Sequence, residues 1–84
     1  MSDGARTLDA LALREGSFVR DVRVADGSPG EWQRWLEELG FIPGEPVSVL
    51  ARGVPGGDPI VVRVGESTFA LRRAEARCVV VGGP

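Results

Sequence analysis

Catalysis needs a nucleophile with a base, a paired acid and base, or a metal, and this chain is poor in the residues that supply them. It has no His and a single cysteine among 84 residues. That cysteine, Cys78, heads the apolar run Cys78-Val79-Val80-Val81, where a thiol packs as a small hydrophobe instead of reacting. The carboxylates are scattered, and the adjacent Glu37 and Glu38 diverge on a helix. A high-affinity transition-metal site within one chain is therefore not expected, and only weak carboxylate binding of a hard ion is left open. Pro55-Gly56-Gly57 is no phosphate loop, because no Gly-Lys-Ser/Thr follows it and the chain has no lysine. No catalytic residue, cofactor or metal ligand is expected.

What remains is the chemistry of recognition. Trp32 and Trp35 lie three residues apart beside Leu36 and Leu39. They either plug a gap between a helix and the core, or leave one indole exposed as an interface anchor. Asp58 precedes Pro59 and suits a turn in which its carboxylate caps backbone amides. Arg72-Arg73 is either a solvated strand end or a pair for an acidic partner surface. Polar or aromatic groups held beside tight turns can be presented at little entropic cost. On that ground the candidate partner-binding residues are Arg34, Trp35, Gly57, Asp58, Arg72, Arg73 and Glu75.

The elements that must hold these groups follow from the spacing of apolar residues. Trp32, Trp35, Leu36 and Leu39 at i, i+3, i+4 and i+7 put one packing face on a helix from Pro29 to Leu39, opposite Gln33, Arg34, Glu37 and Glu38. Ser28 is placed to cap it, Pro29 fits the first helical position, and Glu31 suits a capping box. Gly40 ends it in the left-handed region, with Phe41 placed to fold back on Leu36, and Pro43-Gly44 turns the chain. Thr7 could cap one helical turn carrying Leu8 and Leu11, ended by Gly16. Ser17 to Val24 reads as a strand with Phe18, Arg20, Val22 and Val24 on its apolar side. Val47 to Val54 is a second strand, and the Pro55 to Pro59 turn separates it from a hairpin of Ile60 to Val64 and Ser67 to Leu71. One turn over residues 72–76 and a last buried strand from Cys78 complete the chain. Met1 to Arg6 and Gly82 to Pro84 are expected to be loosely ordered.

Twelve Gly and six Pro among short Val-rich runs favour tight turns between short strands. The expected fold is mainly β, a small barrel of about five antiparallel strands with one inserted helix, in a single domain covering residues 1–84. Ten basic residues, all Arg, against twelve acidic ones give a net charge of −2, which argues against general nucleic-acid binding. The lone cysteine suits a reducing cytosol. No apolar run approaches the ~20 residues of a membrane span, and the N-terminus lacks a signal-peptide hydrophobic region.

The segment W-L-E-E-L-G-F-I-P-G-E-P-V-S-V, then P-G-G-D-P-I, then L-R-R-A-E-A, resembles the ferrous iron transport protein A (FeoA) family from about Thr7 to Val81. The resemblance implies an SH3-like barrel with a helix after the first strand. It also implies a cytosolic accessory role to the membrane ferrous-iron transporter FeoB, by docking onto its cytoplasmic part. Similar domains follow a DNA-binding domain in metal-dependent repressors. The alternative reading is a detached regulatory module working with such a repressor. Family members commonly carry basic residues just before the L-x-x-L-G-[FLM] segment. Here Arg34 is kept beside Trp35, with Trp32 one turn earlier, so an aromatic contact replaces a basic one.

Overall fold

Short alternations of Val and Ile, broken by Gly and Pro, fold into six antiparallel strands in a computed structural model that describes residues 6–24 and 26–83. They are β1 (Arg6–Thr7), β2 (Ser17–Val22), β3 (Pro46–Arg52), β4 (Ile60–Val64), β5 (Ser67–Leu71) and β6 (Val79–Gly82), in the sheet order β1-β6-β2-β3-β4-β5. About five strands were expected. The sixth is β1, whose two residues pair with Val81 and Val80 of β6 and are too few to leave a period in the sequence. Arg6 and Gly82, expected in loose ends, are thus strand residues. Met1 to Ala5, Ala25 and Pro84 lie outside the described residues.

Two register shifts bend the sheet, one in β2 between Val19 and Asp21 and one in β3 between Val49 and Ala51. A bulge flips the side chains that follow it to the other face. The expected apolar side of β2 is corrected accordingly: Ser17, Val19 and Val22 point inward, while Phe18 and Arg20 are exposed. The curled sheet encloses Val47, Val49, Ile60, Val62, Val64, Leu71, Val79 and Val81, all buried. Leu8 and Leu11, from a 3₁₀ turn at Leu8–Ala10, close one end of this core. Thr7 does not cap that turn through its side chain, and its hydroxyl donates instead to Asp9. Arg52 ties the turn to β3 by donating to the carbonyls of Asp9 and Leu11. Gly16 ends no helix; the reversal before β2 instead uses Arg14 at a φ of 64°.

The helix α1 runs over Glu31–Leu39, two residues shorter than the sequence suggests. Ser28 does not cap it. The carbonyls of Pro29 and Gly30 accept from the amides of Trp32 and Gln33, so a tight turn opens the helix and Gly30, with no side chain to offer, takes the cap position. The C-terminus is as expected. Gly40 has a φ of 117°, its amide donates to Glu37, and the Phe41 amide reaches Leu36 at 3.1 Å, the paired bonds of a Schellman closure. Leu36 and Phe41 are both fully buried, which fixes the helix on the barrel.

Candidate functional site

The packed side of α1 is narrower than the periodicity suggests. Only Leu36 is fully buried; Trp32 and Leu39 are half-buried against the core, and Trp35 stays 36% exposed. The two tryptophans therefore divide between the alternatives, Trp32 packing and Trp35 facing out. Opposite this helix edge lies α2, a single turn at Arg73–Ala76. Glu75 holds that turn by accepting the Arg72 amide at 2.7 Å.

These elements form a shallow groove of about 410 Å³ lined by Glu31, Trp32, Arg34, Trp35, Glu38 and Glu75. Three of the candidate residues, Arg34, Trp35 and Glu75, meet here. Glu31, Trp32 and Glu38 were not among the candidates, although Glu31, Trp35 and Glu38 at i, i+4 and i+7 form a stripe that spacing alone could have shown. Among the described residues the Arg34 side chain has no hydrogen bond or ion pair, and it sits between Glu31 and Glu38 on the same helix edge.

Asp58, Pro59 and Arg72 line a second hollow of about 350 Å³. Asp58 caps no amide within its own turn. Its carboxylate accepts the backbone amide of Arg73 at 3.0 Å, joining residues 15 apart in sequence and fastening the 53–59 loop to α2. Gly57 lines neither hollow; its amide donates to the Gly53 carbonyl at 2.8 Å and it shapes the loop from within. The side chain of Arg73 is exposed. The seven candidates thus fall into a helix-edge group and a loop group, linked through α2 by the Asp58–Arg73 bond.

Nothing in either hollow resembles a reactive centre. The buried Cys78 thiol donates to the Ala74 carbonyl at 3.5 Å. Among the described residues the carboxyl held furthest from its ordinary range is that of Glu15, down to about 2 because the Arg6 guanidinium and the Ala12 amide bond to it. Asp21 is lowered by Arg23 and the Val22 amide. Both lie away from the two hollows, on exposed ion pairs that pin β1 and brace β2. Among the described residues no three His, Cys, Asp or Glu side chains converge, and no helix is long and apolar enough to cross a membrane.

The chain is similar to the Stenotrophomonas maltophilia FeoA structure solved with zinc, at 42% identity over 90% of this chain and 88% of that one, with a TM-score of 0.79. That protein is described as a procaryotic SH3 domain protein with a suggested role as a ferrous iron transport activating factor. This chain is also similar to the FeoA protein of Chlorobium tepidum, at 30% identity over 92% of this chain and 69% of that one, with a TM-score of 0.75. A manganese-dependent transcriptional repressor matches at 25% identity and a TM-score of 0.75, over all of this chain but 44% of its own. Comparison with curated proteins gives no match. The FeoA domain model covers residues 6–82, and with the barrel, the inserted helix and its Gly40-Phe41 stop all in place, this chain belongs to the FeoA family.

Proposed function

We propose that this protein is a small cytoplasmic accessory factor of bacterial ferrous iron uptake that acts by docking onto the cytoplasmic part of a FeoB-type transporter. The observation that carries the reading is the helix-edge groove. An exposed Trp35 is held on a helix clamped at its C-terminal end, with the unpaired Arg34 beside it and Glu75 across from it. Rigid Trp and Arg side chains at a partly dry surface are the groups that anchor protein interfaces. The Asp58–Arg73 bond supports the same face by holding α2 in place. We read the chain as non-enzymatic, with no nucleotide turnover, because no residue set in it can activate a nucleophile. We also read it as independent of nucleic acid.

Titration calorimetry against the purified cytoplasmic domain of the transporter, with and without guanine nucleotide, tests the proposal. Trp35→Ala is expected to weaken binding by about thirtyfold, the factor for losing an interface anchor of ~2 kcal/mol. Arg72→Glu combined with Arg73→Glu is expected to weaken it as well, with the fold unchanged by circular dichroism. Absence of binding in every nucleotide state refutes the proposal. Binding that neither variant changes moves the interface off this face.

A further inference from the structure

Phe18 lies before the bulge in β2 and alternates with the inward Ser17 and Val19, which puts it on the outer face of the sheet, where it is 37% exposed. Across β2 and β3 it pairs with Pro46. Two residues along β3 on the same face is Ser48, and opposite Ser48 on β4 is Arg63. The segment leading into β2 raises a wall beside this row. Leu13 bridges to Val49 of β3, and the amide of the left-handed Arg14 donates to the Val49 carbonyl at 2.7 Å.

The result is a groove of about 560 Å³, with Phe18, Pro46 and Val47 as apolar lining and Arg14 and Arg63 as its only charged lining residues. No carboxylate lines it, although the chain carries a net charge of −2. Among the described residues neither guanidinium has an ion-pair partner, and the Arg14 side chain makes no hydrogen bond. Arg63 donates its Nε to the Gly65 carbonyl at 3.2 Å, which orients the guanidinium and leaves its terminal nitrogens without a partner. Two unpaired cations beside an exposed ring are complementary to an anion attached to an apolar group.

We propose that this groove docks an acidic linear segment of a protein partner, an extended peptide that lays an apolar side chain on Phe18 and Pro46 and its carboxylates on Arg14 and Arg63. The site lies apart from the helix-edge groove and shares no residue with it. Single-stranded nucleic acid is the less favoured occupant. One ring offers no run of stacking platforms, and two cations on a net acidic protein give little counterion release.

The test is an NMR titration of the full ¹⁵N-labelled chain with three probes. These are the capped peptide Glu-Asp-Leu-Phe-Asp-Glu, its counterpart with Arg at every acidic position, and a single-stranded oligothymidine. The acidic peptide is expected to shift the amides of Arg14, Phe18, Ser48 and Arg63, and to bind less well as salt is raised. Arg63→Glu and Arg14→Glu are each expected to weaken it about tenfold or more, as loss of a close charge pair does. Phe18→Ser should weaken it with the amide spectrum otherwise intact. Absence of those shifts with the acidic peptide, an equal response to the basic one, or oligothymidine binding there in the peptide's stead overturns the proposal. Unchanged affinity in both arginine variants does so too.

Discussion

Replacing Asp58 with Ala removes one hydrogen bond, and the structure says which one. The Asp58 carboxylate accepts the Arg73 amide at the start of α2, at 3.0 Å and in an exposed position. A side chain that satisfies a first-turn amide contributes roughly 0.5–2 kcal/mol, and exposure puts this one near the middle or below, at about 1 kcal/mol. For a domain of 60–100 residues that corresponds to a fall in Tm of about 4–8 °C. Asp58→Asn keeps a carbonyl oxygen at the same place and should lose less than half as much. Urea denaturation followed by tryptophan fluorescence is a suitable assay, because Trp32 and Trp35 share a groove with Glu75 of α2. The midpoint should fall in the Ala variant without a change in the slope. An Ala variant as stable as the parent, or an Asn variant as damaged as Ala, would show that the bond does not hold the loop to α2. A stable Ala variant that loses partner binding would instead make Asp58 a contact residue.

Gly40→Val should cost about 2 kcal/mol or more for the left-handed conformation alone, since an added Cβ would meet only Val64 methyls at 3.9–4.0 Å. Gly40→Ala should cost less, and equal stability of parent and Val variant in urea would remove the cap from the account. Gly53→Ala should be damaging for the opposite reason, a Cβ 2.8 Å from the Asp58 and Pro59 carbonyl oxygens, and thermal melting tests it. The Glu15 carboxyl is lowered to about 2 in the folded state from an ordinary 4.5, so it binds fewer protons folded than unfolded. Its stabilising effect is present above pH 4.5 and is lost as pH falls toward 2, and Glu15→Gln should flatten the parent's stability loss over that window. Phe41→Ala empties a fully buried site and should cost about 3–5 kcal/mol, measured by chemical denaturation.

Features set by neighbouring residues were legible in the sequence. The stop at Gly40-Phe41 depends on one backbone conformation and one apolar contact five residues back. The hairpin of β4 and β5 depends on alternation around Gly65-Glu66, and its register from Val64–Ser67 to Ile60–Leu71 follows without a slip. Features set by distant pairing were not legible. The bulge between Val19 and Asp21 is a slip in the ladder with β6, and residues 17–22 carry no mark of it, so Phe18 reads as a core residue. The partner of Asp58 lies 15 residues away in another element, so its capping role was visible and its target was not. Ser28 shows a third case. Its capping chemistry is sound, but the turn at Pro29-Gly30 supplies the first acceptors and leaves it outside the helix.

The placement of aromatic residues separates the two proposed docking faces. Phe41 is buried and Phe69 and Trp32 are half-buried, so aliphatic side chains fill most of the core. The two aromatics left exposed, Trp35 and Phe18, stand in different charge settings: the first among three carboxylates and one arginine, the second between two arginines and no carboxylate. Single exposed apolar residues are ordinary on protein surfaces and need no explanation. An exposed ring beside charges of largely one sign is more selective, because a partner of the wrong sign brings like charges together as it covers the ring. The sheet groove therefore favours an acidic segment, whereas the helix-edge face, with Arg34 set among three carboxylates and Arg72 and Arg73 beyond them, calls for a partner that carries both signs. Raising salt should weaken binding more at the sheet groove than at the helix edge while leaving the apolar contact at each intact.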